Sequence, residues 1–290
     1  MKLELTVEVD GASLMAEVSQ CTGATHLPLV FLHAGVADGR MWQPQWEALQ
    51  SAHPMLRYDR RGFGQSRTTA AVPYSRTRDL WAVLDAVAWD RVVLVGCSQG
   101  GRVAVDAALA QPGRVAALVL VAPAIGGAPE PALSAEAQAL DEAIDAADEA
   151  GQVDLANELE AQLWLDGPSS PAGRVGGAVR DLFLSMNGIA LRADDPGPVQ
   201  DEPPAWERLE QLNVPTLVLW GDLDLPHLQG RCQQLLQRIP GAEGGVLPGT
   251  AHLPGLEAPG PFNDALARFL RGPVKGMAGG KPRAAPSVER

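Results

Sequence analysis

The sequence has little cysteine and no long apolar run. Its 290 residues include three cysteines, Cys21, Cys97 and Cys232, an odd number without any paired metal-ligand spacing. Neither a disulfide framework nor a zinc site is therefore indicated, and reduced thiols are typical of a cytoplasmic protein. No segment approaches the roughly 20 consecutive apolar residues that a membrane-spanning helix needs. The N-terminal segment alternates polar and apolar residues, which is not the pattern of a signal peptide.

Positive charge is also in deficit. The 23 lysines and arginines are outnumbered by 35 aspartates and glutamates, which gives a formal net charge of -12. A surface of this charge disfavours nucleic acids and anionic membranes as partners. The composition predicts a cytoplasmic protein without nucleic-acid or membrane partners, and it leaves the substrate and the oligomeric state open.

The chain does contain 46% hydrophobic residues, many of them in short apolar runs. The first two predicted strands form a hairpin with its turn at Asp10-Gly11. The uninterrupted runs after this hairpin indicate strands covered on both faces, as in the mostly parallel sheet of an α/β protein. The eight predicted strands are residues 3–9, 13–18, 28–32, 55–58, 92–95, 118–121, 216–220 and 245–247. Helices are predicted at about 40–50, 76–88, 99–110, 228–238 and 260–271.

The alternation of strands and helices breaks between about residues 126 and 204. An acidic, alanine-rich helical stretch occupies about 134–165, and glycine and proline residues interrupt the remainder of the insert. Long inserts in compact domains are commonly functional lids or else linkers. A lid is favoured here by apolar surface that a linker would not need, at Trp164, Leu165, Phe183, Leu184 and Met186. An insert between the sixth and seventh strands would cover the carboxyl ends of the strands, where open α/β sheets bind ligands. We therefore expect a core formed by residues 1–125 and 205–272, a helical cap at 126–204, and a disordered tail at 273–290.

The strongest chemical signal is the segment Gly96-Cys97-Ser98-Gln99-Gly100, between an apolar run and a helical run. A serine on a sharp strand-to-helix turn has strained backbone angles and an exposed hydroxyl. Glycines two residues to either side are needed because a Cβ there would meet the crossing strand or helix. This context predicts Ser98 as a nucleophile, with a plain glycine-rich turn as the alternative. Cys97 is not at the apex of the turn and is expected to be a small buried residue.

A serine hydroxyl is a weak nucleophile and needs an adjacent base. His252 follows the last predicted strand, where a loop can reach the edge of the sheet beside Ser98, so we predict it as the base. His227 is the alternative base, although a surface histidine is its simpler role. The loop after the seventh strand offers two carboxylates, Asp222 and Asp224, of which one should orient the imidazole.

Two backbone N–H groups are needed to hold the negative charge that develops on a carbonyl oxygen. We expect one from Gln99, directly after Ser98, and the other from Gly35, on the loop after the third strand. An ordinary turn is the alternative interpretation of this loop.

Together these segments resemble the serine hydrolases of α/β-hydrolase fold, a group of small esterases, lactonases, cofactor-free haloperoxidases and carbon–carbon bond hydrolases. The likeness extends over about residues 20–271 without the insert, and its matching stretches are 29–35, 58–66, 96–101, 214–224 and 249–257. The resemblance implies that Asp224 is the triad carboxylate, that residues 59–66 form a structural turn, and that no metal or organic cofactor is used. Similar proteins that act on haloalkanes or epoxides have aspartate in place of Ser98, so neither reaction is expected. Ala34 replaces the usual glycine, which fits unless a positive φ is required there.

The sequence therefore predicts cleavage of a small carboxylic ester or lactone through an acyl-enzyme. Two other functions stay open: a carbon–carbon bond hydrolase with the same triad, which would need cationic groups for a substrate carboxylate, and a binding protein without catalysis, which would not need the triad. The candidates for the substrate pocket are Trp164, Phe183 and Met186. The cationic candidates in the insert are Arg174, Arg180 and Arg192.

Overall fold

A computed structural model describes residues 2–19, 26–200 and 202–274. Cys21 and nearly all of the predicted tail, from residue 275 onward, lie outside these residues. Within the described residues, no helix is both long and apolar enough to cross a membrane.

One sheet carries all the strands of the described residues. They are β1 (Lys2–Val9), β2 (Ala12–Ser19), β3 (Leu29–Leu32), β4 (Met55–Tyr58), β5 (Arg67–Thr68), β6 (Val92–Cys97), β7 (Val115–Val121), β8 (Thr216–Gly221) and β9 (Glu243–Leu247). Their spatial order is β1-β2-β4-β3-β6-β7-β8-β9, and β5 pairs with β2. The pairs that involve β1 or β2 are antiparallel, and the pairs from β3 to β9 are parallel. The predicted mostly parallel sheet with an antiparallel first hairpin is confirmed. The two-residue strand β5 was not predicted, because its sequence has no apolar pattern.

Helices cover both faces of the sheet. They are α1 (Gln43–Leu49), α2 (Arg76–Ala86), α3 (Gln99–Ala110), α4 (Ala135–Glu149), α5 (Val153–Glu160), α6 (Gly177–Ala190), α7 (Pro226–Arg238), α8 (Pro254–Glu257) and α9 (Pro259–Arg271). Leu94 of β6 faces a buried cluster with residues of α2, α3 and α7, whereas its neighbour Val95 faces a second cluster with residues of α1 and α9. Both faces of the central strands are thus apolar, which explains why their sequences do not alternate.

The insert predicted at residues 126–204 lies between β7 and β8. It contains α4, α5, a π-helical turn at Ala161–Asp166, and α6. Local sequence does not reveal α6 clearly, because glycines stand at its start and at position 188, and glycine is a poor helix former. Packing of Phe183 and Met186, both without exposed surface, against the second cluster supplies the stability that local propensity lacks.

Candidate active site

Ser98 lies at a sharp turn between β6 and α3. Its backbone has φ 52° and ψ -117°, in the positive-φ region that residues with a side chain rarely adopt. The turn is held by hydrogen bonds from Ser98 N to Val121 O at 2.9 Å and from Ala124 N to Ser98 O at 3.0 Å. The strained angles expected for a serine at the apex of a strand-to-helix turn are therefore present, and the residue remains half-buried and not fully buried.

The two glycines that flank Ser98 are required by close backbone approach. A Cβ on Gly100 would lie 2.2 Å from the carbonyl oxygen of Leu32, and one on Gly96 would lie 2.4 Å from the carbonyl oxygen of Gly100. Real Cβ atoms essentially never approach another heavy atom this closely. The neighbouring atoms belong to the backbone, so they cannot move aside without a large cost in free energy. The local sequence thus allows α3 to cross β3 and β6 closely enough to form the turn.

His252 and Asp224 meet at the carboxyl ends of β8 and β9. His252 Nδ1 lies 2.8 Å from Asp224 Oδ2, and both residues are 2% exposed. The other carboxylate oxygen of Asp224 accepts the backbone N–H of Leu225 at 2.8 Å. The sulfur of Cys97, beside Ser98, lies 3.5 Å from the carbonyl oxygen of His252, so the histidine loop packs against the elbow. Asp224 fixes one ring nitrogen of His252, which leaves Nε2 for a reacting partner.

Asp222 has a different role from Asp224. It is exposed, and its Oδ1 accepts the backbone N–H of Gly249 at 2.7 Å, which links the loop after β8 to the loop after β9. The sequence left two acids as partners of the histidine, and the structure brings only the second of them to His252.

The histidine loop is tied down by a buried carboxylate that the sequence did not single out. Glu257 accepts the backbone N–H groups of Ala251 and Leu253, on either side of His252, at 2.9–3.1 Å. Arg174 of the insert pairs with Glu257 and also donates to the carbonyl oxygen of Gly249. Burial raises the pKa of Glu257, and the Arg174 hydrogen bond partly offsets this. These contacts set the position of His252 from both sides and from the insert.

The loop after β3 faces the start of α3. Gln99 is the first residue of α3, so its N–H has no acceptor within the helix. The side chain of Gln99 covers Gly35, where an added Cβ would lie 2.5 Å from Nε2 of Gln99. Ala34 has no positive φ, which is why an alanine fits there. The two predicted N–H donors therefore lie on neighbouring segments.

A buried arginine orients this loop. Arg60 Nη2 donates to the carbonyl oxygens of His33 and Ala34 at 3.2 and 3.1 Å, and Nη1 donates to Gln99 Oε1 at 3.0 Å. Burial, with repulsion from Arg60, lowers the pKa of His33, whose Nε2 accepts the backbone N–H of Arg60. The neutral ring therefore carries its proton on Nδ1 and donates to the carbonyl oxygen of Ala34 at 2.7 Å. This carbonyl belongs to the Ala34–Gly35 peptide. The hydrogen bonds from Arg60 and His33 therefore fix the plane of that peptide and the direction of the Gly35 N–H.

The insert contacts the histidine directly. Trp164, in the π-helical turn, packs its ring 4.7 Å from the ring of His252 between centroids, and its carbonyl oxygen accepts the His252 N–H at 3.2 Å. Trp164 is partly exposed beside the site, whereas Phe183 and Met186 have no exposed surface in this conformation. Of the three pocket candidates, the structure brings Trp164 alone into contact with a predicted catalytic residue.

Two alternative site residues are less suited to catalysis. Cys97 is fully buried, and burial raises the pKa of its thiol well above the usual value, so the thiolate is not available. His227 is at the start of α7, and its buried Nδ1 has no hydrogen-bond partner among the described residues. Burial lowers the pKa of His227, and no carboxylate bonds to its ring within the described part of the chain.

The alpha/beta hydrolase family matches this chain over residues 29–265. A curated relative from Caulobacter sp., provisionally named carbamate hydrolase RutD, is 26% identical over 262 residues, which cover 84% of this chain and 90% of that protein. A protein of the same name from Variovorax paradoxus is 41% identical, but the match covers 32% of this chain and only 36% of the relative's length.

Solved structures agree over the whole fold. A hydrolase from Pseudomonas aeruginosa is 26% identical with a TM-score of 0.74, and the match covers 93% of this chain and 98% of that chain. An enzyme described as degrading N-acyl homoserine lactone is 26% identical with a TM-score of 0.68, over 91% of this chain and 100% of that chain. With the family match over most of its length, this chain belongs to the alpha/beta hydrolase family and is a hydrolase of that fold.

Proposed function

We propose that this hydrolase cleaves a small carboxylic ester or lactone, with Ser98 as nucleophile, His252 as base and Asp224 as the carboxylate that orients the imidazole. The observation that carries the proposal is the 2.8 Å contact between His252 Nδ1 and Asp224 Oδ2 in a loop packed against the elbow serine. A carboxylate on Nδ1 selects the tautomer whose Nε2 can accept a proton and stabilises the imidazolium that results.

The reaction runs in two halves. Ser98 Oγ forms a bond to the substrate carbonyl carbon while its proton passes to His252 Nε2, and the negative charge on the carbonyl oxygen is held by the N–H groups of Gly35 and Gln99. The bond to the alcohol then breaks, and His252 protonates the departing oxygen. Water, deprotonated by His252, attacks the acyl-enzyme, and Ser98 is released with its proton returned.

In the described residues, Ser98 Oγ makes no hydrogen bond to the His252 ring in this conformation. Catalytic hydrogen bonds of this kind commonly tighten only when substrate is bound. Substrate in the site therefore completes the proton path from Ser98 to His252.

The arginines of the insert argue for an ester over a substrate with a carboxylate. Arg174 pairs with Glu257, Arg180 with Asp166 and Glu158, and Arg192 with Asp154. Arg174 and Arg180 pair with buried carboxylates, and Arg192 lies on the surface in an exposed pair, so none is a free buried cation for the acid group that a carbon–carbon bond hydrolase would recognise. A binding protein would not need the oriented histidine.

A carbamate is the second candidate substrate, because the relative matched over nearly its whole length is provisionally named a carbamate hydrolase. The carbonyl carbon of a carbamate ester is open to the same attack: the alcohol leaves first, and water then releases from the carbamoyl-enzyme a carbamic acid, which breaks down to an amine and carbon dioxide. Which class is preferred is a matter of kcat/KM, measured over matched panels of esters, lactones, carbamates and diketones with the purified chain.

The direct test is hydrolysis of p-nitrophenyl acetate by the wild type, by Ser98→Ala and by the exposed control Ser169→Ala. We expect Ser98→Ala to lose nearly all turnover with an unchanged circular dichroism spectrum, and Ser169→Ala to keep it. Undiminished turnover in a folded Ser98→Ala protein would contradict the proposal, and so would a wild type that binds esters without cleaving them.

A further inference from the structure

A small cavity of about 30 Å³ lies beside Arg60. Its walls include Tyr58, Arg60, Arg61, Arg76, Asp79 and Gln99. None of the proposed triad residues lines it. The space is enough for a water molecule or a monatomic ion and too little for an organic substrate.

The walls of this cavity carry more positive than negative charge. Arg61 and Asp79 neutralise each other in a two-point pair, with Nε–Oδ2 at 2.7 Å and Nη2–Oδ1 at 2.9 Å. Arg60 is 6% exposed and Arg76 is half-buried, and no ion pair joins either side chain to a carboxylate among the described residues. Two positive charges thus face one small space in a protein whose net charge is -12. A buried charge without a counter-charge is strongly destabilising, so the site favours a ligand that supplies one.

Two buried hydrogen-bond donors at this cavity have no acceptor. The Tyr58 hydroxyl and the Nε of Arg60 are both buried and make no hydrogen bond within the described chain. The other nitrogens of the Arg60 guanidinium donate to neutral oxygens, those of His33, Ala34 and Gln99. Burial and the proximity of Arg76 lower the pKa of Arg60 to about 10, which reflects the same lack of a counter-charge. Buried donors without an acceptor cost free energy. A ligand that accepts hydrogen bonds and donates none would satisfy both the Tyr58 hydroxyl and Arg60 Nε.

We propose that the cavity beside Arg60 and Tyr58 is a binding site for a small monovalent anion of the size of chloride. The anion accepts from the Tyr58 hydroxyl and from Arg60 Nε, and it compensates the charge of Arg60 and Arg76. A water molecule could accept the same two bonds, but it would bring two protons of its own and no negative charge. The charge balance therefore distinguishes the two ligands, and the inference does not depend on the proposed ester chemistry.

Occupancy of this site would stabilise the segments that Arg60 holds. The same guanidinium bonds the carbonyl of Ala34 and the side chain of Gln99, so an anion that fixes Arg60 also fixes the loop above it. The expected signature is stabilisation of the folded state that saturates with halide concentration, because a ligand that binds only the native state raises its stability by mass action.

The test uses the full chain with sodium chloride as the probe, titrated at constant ionic strength against sodium gluconate, whose anion is too large for the cavity. We expect a saturable rise in Tm of about 2–4 °C in the wild type. Arg76→Gln should flatten this titration. Arg78→Gln, which removes the same charge from an exposed position of α2, should leave it intact.

Crystals soaked in sodium bromide give an independent readout that needs no variant. We expect an anomalous peak between Tyr58 and Arg60 in the wild type. An ordered water without anomalous signal, together with equal Tm values in chloride and gluconate, would overturn the proposal, and so would an Arg76→Gln titration identical to that of Arg78→Gln. If Arg76→Gln does not fold, the bromide map of the wild type decides.

Discussion

The two sides of the candidate site are built by different means. On the serine side, β6, the turn at Ser98 and α3 are positioned by backbone contact, in which Gly96 and Gly100 leave no room for a Cβ. On the histidine side, the loops after β8 and β9 are held by carboxylates, with Asp224 on the ring of His252 and Glu257 on the neighbouring N–H groups. Steric contact fixes one half of the site, and charge and hydrogen bonding fix the other.

This difference indicates how each half should respond to change. The serine side should be intolerant of a single added methyl group and indifferent to salt. The histidine side should tolerate changes of volume better than changes of charge, because its contacts are hydrogen bonds and an ion pair made by carboxylates. Substitutions on each side, paired with matched controls, can therefore tell the two kinds of support apart.

The largest effect is expected from the two neighbouring acids of the histidine side. Asp224→Asn keeps the shape but favours the wrong imidazole tautomer, which should lower kcat by up to about 10⁴-fold. Asp222→Asn keeps an oxygen that can accept the Gly249 N–H and loses only the charge, so it should cost no more than about 1 kcal/mol of stability with little loss of kcat. Steady-state kinetics and urea unfolding of both variants measure this difference. A larger loss of kcat in a well-folded Asp222→Asn protein would reverse the assignment.

On the serine side, one methyl group should have a large effect on stability. A Cβ in Gly100→Ala would meet the Leu32 carbonyl oxygen at 2.2 Å, and we expect a loss of at least about 3 kcal/mol in the free energy of unfolding. Gly230→Ala is the matched control, because it lies within α7 with nothing within 4 Å of the added atom. There the alanine should stabilise by about 1 kcal/mol through helix propensity. Equal unfolding midpoints for the two variants would contradict a sterically fixed elbow.

Much of this architecture can be predicted from short stretches of the sequence. Apolar runs predicted the sheet and the place of the insert, and the spacing around Ser98 predicted a strained turn, because a strand, a turn and a helix there depend on adjacent residues. The contacts that complete the site depend on residues far apart in the chain. Arg174 and Glu257 are separated by 83 positions, and Arg60 reaches the loop of Ala34 across 26. Neither pair has a sequence pattern, so only the fold reveals them.

A largely buried carboxylate outside both sides, Asp59 in the loop after β4, provides a pH test beside the two halves of the site. Burial, reinforced by Asp38, raises the pKa of Asp59 from 3.8 to about 6. A raised carboxyl pKa contributes stability that is present below pH 4 and lost as the pH rises through 6, by up to about 3 kcal/mol. Asp59→Asn should therefore lose less stability than the wild type between pH 4 and pH 7, measured by urea unfolding. The exposed control Asp90→Asn should follow the wild-type curve, and a parallel curve for Asp59→Asn would refute the assignment.

The smallest effect is expected where the insert supports the histidine side. Glu257→Gln keeps the size but turns one acceptor into a donor that faces Arg174, which loosens the loop of His252. We expect kcat to fall about tenfold with KM little changed, because the group positions the base and does not touch substrate. Glu210→Gln, which breaks an exposed pair with Arg238, is the control and should leave kcat unchanged. If Glu257→Gln kept the wild-type kcat, the proposal that the insert helps to position His252 would be contradicted.

Covalent labelling can decide whether Ser98 is the nucleophile and whether the histidine side activates it. The protein is treated with a fluorophosphonate probe and digested, and the labelled peptide is identified by mass spectrometry. We expect one phosphonyl group on Ser98 in the wild type, much slower labelling in His252→Ala, and none in Ser98→Ala. Labelling at another residue, or labelling of Ser98 that is as fast without His252 as with it, would show that the proposed nucleophile and base are wrongly assigned.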